Sequence, residues 1–361
     1  MDVYDNKFFA LLRYAIDDKA EKPIVTKEEW HIIYDIAERH ALLGVIFVAV
    51  SQYDAHNGPD KALLMRWFAL SRKIVALNVR QYEHAVKVSA FFKSKGFDCC
   101  VLKGQGNAMI YDDVYCRNAG DIDIWVGGGF YKVSKFIKMI YPNANILYIH
   151  SDFPDYKGSI VEVHYKPSHL NNLIANFRLQ RYFKTIAKEQ FDNMVCVPGN
   201  IGCMPIPLPS FNRIYQMCHI LNHLVVQGIG LRQIVDYYYV LKQGFTEEEN
   251  KRDRRLLKKF GLYKIASAVM YIEKEMLGLS DRFLIVPPDE KKGKLLLEEI
   301  LQTGNFGKYD NRVDKSKLGR WGYYKFQIKR NFRLMSIAPG EMLCEPLFRF
   351  YHFLWRKFNV K

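Results

Sequence analysis

Apolar positions recur three and four residues apart through most of residues 1–95, the spacing of helices with one buried face. Thr26 and Glu29 form a capping box, and Trp30, Ile33, Ile36 and Ala37 follow at helical intervals. A longer periodic segment runs from Ala62 to Lys95, with Lys93 and Lys95 in its last turn and Gly96 as its stop. The pattern changes after Gly96. Phe97 to Leu102 is a short apolar run that predicts a buried strand. Lys103-Gly104-Gln105-Gly106 breaks it, and Asn107 to Tyr111 predicts the start of a helix. Asp121 to Val126 alternates acidic and apolar residues, a strand with charge on one face. Three glycines end it, and Phe130 to Ile140 is helical. Ile146 to Ile149 and Ser159 to Tyr165 predict two more strands across a polar turn containing Pro154, Asp155 and Gly158. A hairpin is expected around Pro198-Gly199-Asn200.

Helices then return. Ser210 caps a segment to Gln227, Gly228-Ile229-Gly230 breaks it, Leu231 to Gln243 resumes, and Thr246 to Glu249 is another capping box. The expected class is α+β, a small mixed sheet flanked by N- and C-terminal helical regions. The expected units are an N-terminal helical region (1–95), an α/β core (96–207), a C-terminal helical region (208–280) and a basic helical extension (281–361). No internal repeat or low-complexity tract is seen.

Hydrophobic residues at 49% and charged residues at 25% describe a folded chain, not a disordered one. The start does not resemble a signal peptide, and the longest apolar run, Ala41 to Val50, is too short to span a bilayer. A cytoplasmic protein without an integral membrane span is expected. Seven cysteines are scattered without a Cys-x-x-Cys pair, so neither a zinc site nor a disulfide framework is suggested. The net charge of +15 implies polyanionic partners. From Asn311 to Lys361, twelve Lys/Arg face three Asp/Glu, and aromatics from Trp321 and Tyr323 to Trp355 are interleaved with them. That interleaving suits packing on the core, single-stranded nucleic acid, or a membrane-surface helix; core packing is favoured.

The informative segment is Arg117 to Val126. On a strand, Asp121 and Asp123 share a face while Ile122, Ile124 and Val126 enter the core. Two adjacent like charges repel unless a cation lies between them. Hard oxygen ligands without nearby Cys or His favour magnesium (Mg2+) or manganese (Mn2+) over zinc. Asp-x-Asp alone is also found on solvent-facing edge strands. Here, however, a second strand, Val161-Glu162-Val163-His164, offers a third carboxylate if it pairs beside the first.

Val101-Leu102-Lys103-Gly104, Arg117 ahead of Asp121-Ile122-Asp123, and Glu162-Val163-His164 together resemble the DNA polymerase β-type nucleotidyltransferase superfamily. More narrowly, the chain resembles a bacterial family of uncharacterised nucleotidyltransferases. Trp30, Ala37, His40, His223 and Arg232 to Asp236 extend the likeness over roughly residues 25–245. The resemblance implies that Asp121, Asp123 and Glu162 are metal ligands and catalytic residues. A nucleoside monophosphate (NMP) would pass from a nucleoside triphosphate (NTP) to an unknown acceptor, a small molecule, protein or RNA, with release of pyrophosphate. Glu162 or Asp123 would take the nucleophile's proton. Lys103, Gly104, Gln105 and Arg117 would contact the nucleotide. The superfamily's usual Gly-Ser or Gly-Gly is Gly104-Gln105 here, so the serine hydroxyl contact is missing and phosphate grip falls to Lys103, Arg117 and backbone amides.

The alternative is a catalytically silent nucleotide- or RNA-binding protein of the same fold; the intact acidic trio argues against it. His219 and His223 lie i, i+4, but no Glu follows His219 as in His-Glu-x-x-His, and they read as buried, hydrogen-bonded histidines. Arg232 and Asp236 read as a helical ion pair, while the resemblance implies the alternative of a role beside the active site on a helix that closes over the nucleotide, and His164 reads as either a partner of Glu162 or a plain strand residue.

Overall fold

In the computed structural model, capping and periodicity set the helices much as expected. The structure describes residues 3–154, 156–310, 312 and 319–359. Asp155 and the two ends of the basic segment, Asn311 and Lys361, lie outside the described residues, as do the side chains of Trp321 and Tyr323. The chain opens with helices α1 (Val3–Ile16), α2 (Lys27–Arg39), α3 (Leu43–Val50) and α4 (Lys61–Ser94). Thr26 closes the capping box of α2, while the Asp60 carboxylate accepts the Leu63 amide at the start of α4. Then come β1 (Cys99–Val101), α5 (Lys103–Ala108), β2 (Ile122–Val126), α6 (Gly129–Ile140), β3 (His150–Asp152) and β4 (Val161–His164). Helix α7 (Leu173–Asp192) leads to a hairpin of β5 (Met194–Val197) and β6 (Gly202–Pro205). It is followed by α8 (Pro209–Val226), α9 (Leu231–Lys242), α10 (Glu247–Lys259), α11 (Tyr263–Tyr271), α12 (Glu290–Thr303), α13 (Arg320–Leu334) and α14 (Pro339–Asn359).

The architecture is α+β. The main sheet has the order β1-β2-β4-β3, with β2 and β4 parallel and both edge strands antiparallel to their neighbours. Its apolar face, Ile122, Ile124, Val126, Val161 and Val163, packs on Tyr82, Ala85, Val88 and Phe92 of α4 and on Val133 and Ile137 of α6. Burying each such aliphatic side chain is worth about 1.5–3 kcal/mol. A one-residue slip of β2 would bury Asp123 in this core, so the apolar face fixes the register of the charged one. The opposite face meets a second, larger core, where Trp125 stacks on Phe211 of α8 at 5.7 Å.

Several expectations are corrected. The third strand is His150–Asp152 rather than residues 146–149: Leu147 N–H donates to His150 carbonyl, so the chain turns there. Ile146 and Tyr148 are apolar because they pack inward, Tyr148 against Phe348 and Trp355. The helix after Leu102 ends at Ala108 rather than starting at Asn107, and its entry is kinked at Gly104. Helix α8 starts with Pro209 in its first turn, not with a Ser210 cap, because proline's fixed φ and missing N–H suit that position. The cysteines are not all unpaired: hairpin register sets Cys196 opposite Cys203, and the two form a disulfide. Among the described residues no helix is long and apolar enough to cross a membrane.

Candidate active site

The parallel pairing of β2 with β4 places Asp123 directly opposite Glu162 and Trp125 opposite His164. On the far side of β4, His150 lies opposite His164 and Asp152 opposite Glu162. Paired residues share a face, so one side of the sheet carries Asp123, Glu162, His164 and His150 together. Asp121 sits just before β2, and oxygens of Asp121, Asp123 and Glu162 lie within 4.8 Å of one another. The three carboxylates converge as the sequence implies.

Side chains of α4 hold the loop that delivers Asp121. Asn78 Nδ2 donates to the carbonyls of Tyr115 and Arg117, both at 2.7 Å, and Gln81 Nε2 donates to Gly120 carbonyl at 3.1 Å. On the other side, the turn after β1 brings in Lys103. Gly104 has φ +41°, a conformation that favours glycine. A Cβ on Gly106 would stand 2.4 Å from Val101 carbonyl, so only glycine lets α5 close onto β1.

Lys103 Nζ lies 3.0 Å from Asp123 Oδ1, and His164 Nε2 lies 2.7 Å from the same oxygen. Asp123 is therefore gripped from two sides, while Asp121 and Glu162 form no ion pair with Lys or Arg among the described residues. Glu162 is met instead by His164 at 3.4 Å and His150 at 3.6 Å. The neighbouring Asp123 charge, and after it burial, push the Asp121 carboxyl above its ordinary pKa. Burial alone would lower the Lys103 pKa, but Asp123, Asp121 and Glu162 outweigh it and hold the ammonium charged. Burial also opposes ionised Glu162; its hydrogen bond to His164 and the charges of His150 and His164 outweigh that and keep it below its ordinary pKa. One lysine offsets part of the charge of three carboxylates, so the donor set of hard oxygens fits a divalent cation, with His150 and His164 within reach of Glu162 as nitrogen donors.

Above these groups lies a cavity of about 410 Å³, within the range of small-molecule sites. Helices α8 and α9 form its upper wall with Tyr215, His219, Asn222, His223 and Arg232. His219 and His223 make no side-chain hydrogen bond among the described residues and are only half-buried. They line the cavity edge to face at 4.3 Å, and burial depresses the pKa of both, that of His223 to about 3, so they are neutral.

The expected Arg232–Asp236 ion pair is replaced. Asp236 accepts from Arg117 Nε at 2.7 Å and Nη2 at 2.8 Å and from Tyr111 Oη at 2.7 Å. Arg117 lines the cavity, yet its charge is committed to Asp236. Arg232 is left without an ion pair among the described residues. It donates to Asn118 carbonyl at 3.0 Å and lies over the Phe306 ring, and burial followed by repulsion from Arg117 lowers its pKa to about 10. It is a buried cation facing a cavity, the alternative place that the family resemblance implies for it. Gln105 is buried and does not line the cavity, whereas Lys103 and Gly104 do. His150 escaped sequence reading altogether, although the alternation Tyr148, His150, Asp152 held the signal.

No curated protein matches the chain. A solved structure of an antigenic nucleotidyltransferase-like protein from Paracoccidioides brasiliensis matches 58% of this chain and 95% of its own, at 12% identity and a TM-score of 0.34. The profile described as uncharacterised nucleotidyltransferase matches residues 26–278, which span α2 to the turn after α11 and include every carboxylate of the trio. The chain belongs to the family of uncharacterised nucleotidyltransferases.

Proposed function

We propose that this chain is a divalent-metal-dependent enzyme of the polymerase β type that transfers an NMP from an NTP to an acceptor hydroxyl or other nucleophile. The observation that carries the reading is the convergence of Asp121, Asp123 and Glu162 beneath a cavity lined also by Lys103, by Arg232 and by Arg117, whose charge Asp236 holds. Asp121, Asp123 and Glu162 would hold Mg2+ or Mn2+. When bound, such ions neutralise the triphosphate and lower the pKa of the attacking group.

The chain's own residues supply orientation. Lys103, on its tight turn, swings between Asp123 and a phosphate oxygen, with Gly104 leaving the backbone open to close approach. Arg232 faces the anion from the opposite wall, where the low-dielectric setting strengthens its pull. His164 holds Asp123 in place through Nε2. His219, backed by the stacked ring of Tyr215, and Phe306 offer rings to the nucleobase. The acceptor oxygen attacks the α-phosphorus in line, the bond from α-phosphorus to the bridging oxygen breaks, and pyrophosphate leaves with that electron pair. Glu162, ionised and less hemmed in than Asp123, takes the acceptor's proton.

Pyrophosphate release is the test. The protein is incubated with Mg2+ or Mn2+, each NTP and an acceptor extract. Release should require metal and fall at least about a thousandfold in Asp121→Asn and in Asp123→Asn, on the scale of losing a group that acts in the transition state. Turnover retained in either variant refutes the assignment.

A further inference from the structure

Helix α14 is apolar on both faces, unlike a helix that merely closes a core. Its inner face is fully occupied: Phe348 and Trp355 pack edge-on against Tyr148 at 5.4 and 5.2 Å, and Trp355 also meets Phe130 of α6 at 5.1 Å. Its outer face is equally apolar. Leu343, Leu347, Phe350 and Phe358 fall on one stripe at helical spacing with Phe353 beside it, and all five are 63–75% exposed. Ile328 and Phe332 of α13, four residues apart, are exposed as well, and α13 is tied to α14 by Asn331 Nδ2 donating to Glu345. Exposed apolar area on this scale marks a contact surface rather than an ordinary exterior.

The charge around the stripe has one sign. Helices α6, α13 and α14 carry three, five and three Lys/Arg, against only Glu341 and Glu345; of these cations Arg330 and Arg333 turn to Glu299 of α12, and the lysines and the α14 arginines remain around the stripe. Both acids are engaged. Glu341 is buried and accepts the amides of Asn171 and Asn172, and Glu345 pairs with Arg349. The C-terminal end of α14 shares a groove with Lys135 and Lys138 of α6, beside Phe358. Lys325 and Lys329 project from the exposed face of α13.

We infer that the outer face of α13 and α14 docks on an anionic lipid surface. Leucine, isoleucine and phenylalanine side chains enter the boundary between headgroups and acyl chains, and the flanking lysines and arginines meet lipid phosphates. The chemistry selects this occupant. A second copy of the face would set cation against cation, and the exposed aliphatic side chains Leu343, Leu347 and Ile328 gain from burial in acyl chains, which a nucleic acid's phosphates and bases do not offer. Because no described helix is long and apolar enough to cross a membrane, the face lies on the lipid and does not span it. The docked helix also backs the cavity, since Phe348 stacks on His169 of its wall at 4.9 Å. The inference does not depend on the chemistry of that cavity.

Flotation of the full chain with lipid vesicles tests it. Vesicles of phosphatidylcholine with about a third phosphatidylglycerol should carry the protein up the gradient, and phosphatidylcholine alone should bind it about tenfold less. The double variant L347E/F350E, placed on outward positions, should lose binding by at least about tenfold with an unchanged circular dichroism spectrum. If it fails to fold, F358E alone serves, because that side chain is the most exposed of the five. The variant K329E/K357E should lose the preference for phosphatidylglycerol. Failure of the wild-type protein to float with anionic vesicles overturns the inference, as does equal flotation of the apolar-face variants. Finding instead a dimer that L347E/F350E dissociates, or RNA binding that K329E/K357E removes, with no vesicle binding in either case, also overturns it.

Discussion

Replacing Asp121 by Asn should make the protein more stable without metal and less stable with it. The oxygens of Asp121 and Asp123 lie within 4.8 Å, and at an effective dielectric of about 20 two unit charges at that separation repel by at least about 3 kcal/mol. Lys103 and His164 return part of this, yet the Asp121 carboxyl is still held above its ordinary pKa, first by Asp123 and then by burial. The surroundings therefore disfavour its charge on balance, and asparagine, nearly the same shape, removes the penalty. A net gain on the order of 1 kcal/mol follows, a rise of about 2 °C in Tm. Metal reverses the order. Mg2+ or Mn2+ at a hundredfold excess over its Kd stabilises the wild-type protein by about 2.7 kcal/mol, whereas a variant that has lost one of three ligands gains far less. Scanning calorimetry of both proteins in EDTA and across a metal titration reads the crossing. If the Asn variant is the less stable in EDTA, or if metal raises both midpoints equally, the trio is not a set of mutually repelling ligands and the argument fails.

The ion pair of Arg117 with Asp236 is buried on both sides, so Asp236→Asn leaves an uncompensated guanidinium and should cost about 3–5 kcal/mol in denaturant unfolding. A loss below about 1 kcal/mol would mean that the pair is not what anchors α9. Arg232→Met should behave in the opposite sense, because that cation is buried without an acid: little or no loss of Tm, but KM for the triphosphate raised about ten- to a hundredfold, the value of one charge-assisted contact. An unchanged KM would remove Arg232 from the nucleotide site. Glu273 is fully buried, and neither carboxylate oxygen has a hydrogen-bond partner among the described residues. Burial pushes its pKa well above the ordinary 4.5, so the folded state holds a proton that the unfolded chain releases. Its contribution is fully present below about pH 4.5 and is lost as pH rises toward the folded pKa, by about 1.4 kcal/mol per pH unit. Glu273→Gln should therefore gain stability over wild type progressively from pH 5 to pH 8 in urea titrations; a pH-independent difference would contradict this.

Periodicity along the chain was sufficient for the long elements, and capping located their ends. The α4 helix was expected from Ala62 to Lys95 and runs Lys61–Ser94. The alternation in Asp121 to Val126 was likewise enough to separate a charged face from an apolar one, because a strand offers just two faces and the apolar one must be buried. What no local pattern contains is the identity of the neighbour across the sheet. That Glu162 lies beside Asp123, and that His150 faces the same way, follows from the pairing of β2 with β4 and of β4 with β3, contacts between residues far apart in sequence. Asp236 was likewise paired with the wrong arginine. Helical spacing brings Arg232 within reach, yet the packing of α9 against the loop before β2 offers Arg117 in a bidentate geometry that a neighbour on the same helix does not match. The disulfide between Cys196 and Cys203 depended in the same way on hairpin register. Local sequence determines which faces seek burial, because each residue's hydrophobicity is its own. Which charge answers which is decided only when the chain has closed on itself, because Coulomb attraction and hydrogen bonding depend on distances that the fold alone sets.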